Sequence, residues 1–130
     1  MENIGCATCF GDDADTALAH LRARPHDVRI VEDSHFMVRI LTCERCAQPF
    51  VSVFCERIDW KDGNDPTETL YVPVSAAEAD GLAAAGEAGA EQALCALSGP
   101  RRYLVRSWPA DADEATVAFT NAAVHVPPHD

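Results

Sequence analysis

Apolar and polar positions change period along the chain, and each change marks an element. Ala14, Ala17, Leu18 and Leu21 recur at i, i+3, i+4 and i+7, one stripe of an amphipathic helix. Asp12, Asp13 and Asp15 supply a cap and the negative charge that a helix start prefers, and Pro25 ends the run. From Val28 the period drops to two. Residues 28–31 predict a strand, 32–34 a turn, and 35–42 a second strand with Phe36, Val38 and Ile40 on one face. Residues 49–58 predict a third, in which Phe50, Phe54 and Ile58 alternate against Val51 and Val53. Both faces of this pair are apolar, which places it centrally in a sheet. Residues 67–74 read as a fourth strand, assigned to an edge by Pro73. Ser75 and Glu78 form a capping box ahead of an alanine-rich helix that should break near Gly86 and Gly89. Beyond the break, Ala90, Ala93, Leu94 and Leu97 share one face. Ser98, Gly99 and Pro100 stop that helix, and residues 101–108 read as a fifth strand.

The expected fold is therefore α+β: an antiparallel sheet of about five strands, with two or three helices packed on one face. Residues 1–108 are expected to form a single domain. The tail from Pro109 has four acidic residues, no basic ones and closing prolines. Residues 109–130 are accordingly expected as an acidic, proline-containing C-terminal arm, with at most a short helical turn at 113–119. No apolar run approaches the ~18 residues of a membrane span. The first residues lack the basic start and apolar stretch of a signal peptide, so a cytoplasmic location is expected.

Two thiol pairs sit within this pattern, Cys6-Ala7-Thr8-Cys9 and Cys43-Glu44-Arg45-Cys46, with 33 residues between them. Each spacing lets one tight turn aim both sulfurs at a single ion, and four thiolates complete a closed tetrahedral zinc site. In a reducing compartment such pairs are metal ligands or redox groups rather than disulfides. The pattern resembles a zinc ribbon, a small fold in which two knuckles on β-hairpins grip one Zn²⁺. The resemblance covers the knuckles and the hairpin carrying the second one. It implies Cys6, Cys9, Cys43 and Cys46 as ligands of one structural Zn²⁺. Two departures stand out: ribbon knuckles usually place glycine after the second cysteine, where this chain has Phe10 and Ala47, and a helix is inserted between the knuckles. A closed four-thiolate site leaves no position for water or substrate, so its role is structural. Cys55 alternates with Val51 and Val53, and Cys95 lies beside Leu94; both read as small buried hydrophobes. The five histidines show no paired spacing, and His35 is the best substitute ligand among them.

Charge narrows the function. With 21 acidic and 10 basic residues the net charge is −11, which repels phosphate backbones. Arg101, Arg102 and Arg106 are the only basic cluster, and a nucleic-acid accessory role would recruit them with Tyr103 and Trp108. No glycine-rich phosphate loop and no Gly-x-Ser-x-Gly is present. The expectation is a non-enzymatic, small acidic zinc-binding protein acting through protein–protein contact. Its concrete version is an inhibitor or immunity-like protein facing a basic partner. Trp60, Asp62 and Asp65 form the expected partner-binding surface, an aromatic among charges. Thiol redox chemistry at Cys6 and Cys9 is the enzymatic alternative. Alanine richness and arginine over lysine point to a GC-rich bacterial source.

Overall fold

The strand-forming segments pair in the order in which they occur. The computed structural model describes residues 3–130. Its elements are α1 (Ala7–Phe10), α2 (Ala14–Arg22), β1 (Val28–Asp33), β2 (Phe36–Thr42), β3 (Pro49–Glu56), β4 (Thr67–Pro73), α3 (Ala76–Cys95), β5 (Arg101–Trp108) and β6 (Thr116–Ala122). The strands form one sheet in the order β1-β2-β3-β4-β5-β6, each neighbouring pair antiparallel. The fold is α+β, with β2 and β3 in the interior as their two apolar faces require. Among the described residues no helix is long and apolar enough to cross a membrane.

Strand alternation sends side chains to two separate cores. Val38, Val51, Val53, Leu70 and Val72 point to the face covered by Leu82, Ala90 and Leu94 of α3. Leu41, Phe50, Tyr71 and Leu104 point the other way, against Ala17, Leu18 and Leu21 of α2. The helices thus lie on opposite faces, not on one as expected. A sheet apolar on both sides has to be covered on both.

Two further expectations are corrected. Pro73 does not mark an edge, since β4 lies between β3 and β5. The proline is the last residue of β4, and the pairing with β5 ends at Tyr71 opposite Leu104, so no ladder bond needs its missing N–H. The arm expected over 109–130 supplies a sixth strand instead. Val117 and Phe119 alternate towards the α2 face, and register with β5 runs from Ser107 opposite Thr116 to Arg101 opposite Ala122. Beyond it Val124 and Val126 are buried in the α3 core, and His129 stacks on Phe36 at 4.0 Å. The acids and prolines flanking 116–122 concealed a short β-branched and aromatic alternation.

Helix α3 begins as its sequence requires. The Ser75 hydroxyl accepts from the Glu78 N–H, and the Glu78 carboxylate accepts from the Ser75 N–H. Inside the span Gly86 adopts φ 66°, a conformation that glycine alone enters cheaply, and the helix kinks there. Arg101 ties this corner together. Its guanidinium makes two 2.9 Å hydrogen bonds to the Glu78 carboxylate and donates to the carbonyls of Pro73 and Ser98. That guanidinium holds the Glu78 carboxyl at about 2, against an ordinary 4.5. A depressed folded-state value contributes stability that is present above 4.5 and is lost as pH falls towards 2. Denaturant unfolding of wild type and Glu78→Gln should therefore differ near neutral pH and converge across that window. A difference that does not depend on pH would contradict the pairing.

Candidate metal centre

Two short turns deliver the four thiols. In the first, Cys6 is the N-cap of α1 and Cys9 its third residue. The pair forms a sulfur version of the capping box: the Cys9 N–H points at the Cys6 sulfur, and the Cys6 N–H donates to Cys9 Sγ at 3.3 Å. Gly5 makes this turn possible, with φ +84° and the Phe10 Cβ only 2.5 Å from where its own Cβ would stand. The second turn hangs between β2 and β3. It is closed by the Cys43 N–H to the Gln48 carbonyl at 3.0 Å and the Ala47 N–H to the Cys43 carbonyl at 2.9 Å. Ala47 sits at φ 63°, at the position where ribbon knuckles carry glycine. The left-handed conformation costs a non-glycine residue about 1–2 kcal/mol, so the turn keeps its shape against local strain. Phe10 needs no such conformation because α1 continues through it.

The sulfurs converge. Cys6 lies 3.8 Å from Cys9 and 3.9 Å from Cys43, and Cys9 lies 3.7 Å from Cys46. All four ligand atoms fall within 4.8 Å of one another. A tetrahedron with metal–sulfur bonds of about 2.3 Å has edges of about 3.8 Å, which these distances match. A disulfide requires about 2.05 Å. The four cysteines can hold a metal ion.

Burial and hydrogen bonding make the thiols unequal. The N–H groups of Cys9 and Thr8 hold the Cys6 thiol at about 6, below its ordinary 9.0, against opposing burial. Burial pushes Cys9 and Cys46 up. Without a cation, four thiolates this close would repel one another in a half-dry site. The positive charge of a metal ion offsets that repulsion, and binding releases the thiol protons.

Donors from surrounding elements close in on the cage. His20, in the last turn of α2, places Nε2 3.3 Å from Cys43 Sγ. A thiolate can only accept, so with Cys43 ionised Nε2 carries the hydrogen. Arg45 Nη1 joins the second knuckle to Thr8 Oγ1 of the first at 3.4 Å, and Asn3 Nδ2 donates to the Cys46 carbonyl at 2.7 Å. Arg24 donates to the Thr42 carbonyl and to Glu44. Arg102 donates to the carbonyls of Phe10 and Gly11 at 2.8 and 2.6 Å, its guanidinium 4.6 Å from the Phe10 ring centre and 3.6 Å from that of Phe119.

His20 is the residue that the sequence reading missed. Its signal was helical phase, since it lies three residues after buried Ala17 and next to Leu21, on the side of α2 facing the knuckles. His35, the expected substitute ligand, lies at the opposite end of β2 and pairs with Glu56 at 2.9 Å. Cys55 is buried as expected, which raises its thiol to about 12. Cys95 is exposed, contrary to expectation: one helical step after buried Leu94 turns it to solvent. Arg101 and Arg102 are engaged within the fold, as described. Trp60, Asp62 and Asp65 lie far from the cage, on the loop that leaves the opposite end of β3. No protein-family model, curated protein or solved structure matches the chain.

His20→Ala is expected to weaken metal affinity about 10- to 100-fold while leaving one ion per chain, and His20→Gln, which keeps an N–H donor, should recover part of it. Chelator competition measures both. Equal affinity in all three proteins would remove His20 from the site.

Proposed function

We propose that the four cysteines hold one structural Zn²⁺ and that the protein acts without catalysis, by contact with another protein. The observation that carries the first half is the match between the sulfur separations and the edges of a zinc tetrathiolate. All four corners are protein ligands, so the ion offers no site to a substrate, and its chemical contribution is to cross-link the chain. The thiol-redox alternative needs Cys6 and Cys9 free of metal; Cys43 and Cys46 crowd that pair and make it half of a four-sulfur set. The nucleic-acid alternative loses support because Arg101 and Arg102 spend their donors on Glu78 and on backbone carbonyls.

Support for the second half comes from the 57–66 loop. Trp60 is 85% exposed, the most exposed large apolar side chain among the described residues. The loop beneath it is held in shape: the Asp59 carboxylate accepts from the N–H groups of Lys61, Asp62 and Asn64, and Asp65 accepts from the Asp59 N–H at 2.7 Å. Asn64 also bonds the Asp111 carboxylate. An exposed aromatic on an acidic, internally bonded loop suits a partner with an apolar pocket and a basic rim, the chemistry of the inhibitor-like role. Asp62 and Trp60 supply that contact, while Asp65 shapes the loop.

Partner capture from the source cell by the zinc-loaded protein tests this reading. Trp60→Ala and Asp62→Lys should each lose a protein that wild type retains, with thermal stability unchanged. Identical capture by all three would refute the loop as the working surface.

A further inference from the structure

We propose that the open part of the sheet face beside α2 binds a small organic anion, a phosphate or carboxylate carried on a flat apolar body. Helix α2 covers Leu41, Phe50, Tyr71 and Leu104 at one end of its face and leaves the other end, around Met37, Phe54 and Thr69, partly exposed. A cavity of about 280 Å³ lies there, bounded by Arg22 and His26 on one side and by Arg39, Ser52 and Tyr71 on the other. Its size is at the small end of ligand sites, room for one ring and a head group.

The register builds this site in two rows. One row runs Met37, Phe54, Thr69, Arg106 across β2 to β5, and the next runs Arg39, Ser52, Tyr71. Met37 and Phe54 are half-buried and form an apolar floor. The hydroxyls of Ser52, Thr69 and Tyr71 follow on the same face, the Arg22 and Arg39 side chains line the rim, and Arg106 lies one strand beyond Thr69. A ring lying on Met37 and Phe54 would carry its head group towards the hydroxyls and arginines.

Charge selects the head group. The chain carries −11 overall, yet Arg22 and Arg39 line this cavity and Arg106 stands opposite Thr69 on the next strand. Arg39 is held by Glu32 at 2.8 Å, and Arg29 shares that carboxylate at 3.5 Å. Arg22 and Arg106 have no carboxylate partner among the described residues. The remaining carboxylate near this edge, Asp27, accepts the Thr42 hydroxyl. Arg24, Arg101 and Arg102 are held by internal carbonyls or carboxylates, whereas among the described residues Arg22 and Arg106 lack a counter-charge, the Arg106 guanidinium lying 5.5 Å from the Trp108 ring centre. Guanidiniums and hydroxyls together suit a multi-oxygen anion. A long polyanion is disfavoured, because beyond this cleft it would meet an acidic surface.

Amide-resolved NMR titration of the full chain tests the site, with phenyl phosphate, benzoate and inorganic phosphate as probes. At least one aromatic probe should shift the amides of Ser52, Phe54, Thr69 and Tyr71 saturably, with a midpoint of about 1 mM or lower. The stronger of the two identifies the head group, and inorganic phosphate should bind more weakly than phenyl phosphate because it has no body for the floor. Arg22→Gln and Arg106→Gln, both outside the cores, should each raise the midpoint about tenfold, and Lys61→Gln should leave it unchanged. Absence of a saturable response to both aromatic probes would overturn the proposal, as would unchanged midpoints in both arginine variants.

Discussion

Four sulfur atoms meeting within a few ångströms constrain this molecule more than any other contact. They belong to turns separated by 33 residues, and their convergence fixes where the first knuckle stands against the β2–β3 hairpin. Helix α1 is only four residues long and could not persist alone. It holds because its capping groups are the thiols themselves. An ion clasped by such a set stabilises a fold by roughly 10–16 kcal/mol in small zinc peptides, comparable to the whole stability of an ordinary domain.

The surrounding structure is built to tolerate this clasp. Core residues of the α2 face include Cys9 and Cys43 together with Leu21, Leu41, Phe50 and Leu104, so the cage is one wall of a hydrophobic core. Arg102 reaches from β5 to the end of α1 and packs between Phe10 and Phe119, linking the knuckle to the last two strands. His20 does the same from α2. His20 bonds Cys43 Sγ directly, while Arg24, Arg45 and Arg102 hold the carbonyls and side chains of the two knuckles around it. Among the described residues, the second core, under α3, includes none of the four clustered cysteines. It depends on the Glu78–Arg101 pair and on the C-terminal segment folded back over Phe36.

Local chemistry was legible in the sequence, and long-range placement was not. The knuckles, the Ser75–Glu78 capping box, the break at Gly86 and the first five strands follow from spacing, caps and alternation within a few residues. Which face a helix covers depends on side chains from several strands, and α2 and α3 carry similar stripes, so their separation onto opposite faces left no local mark. Pro73 suggested an edge, but the missing N–H matters only where a neighbour needs it, and that need is set by where the β4–β5 pairing ends. The strand at 116–122 was hidden by the turn-forming and acidic residues on both sides. His20 and His35 are equivalent by residue type; only helical phase and the direction of β2 separate them. Ala47 shows the opposite case, a departure from the ribbon pattern that changes the energy of the turn and not its shape.

X-ray absorption at the zinc edge, on protein purified without added metal, tests the central claim most directly. The account predicts one zinc per chain with four sulfur neighbours at about 2.3 Å and no nitrogen or oxygen in the first shell. A metal-free protein, or a shell in which a nitrogen such as that of His20 replaces a sulfur, would contradict it.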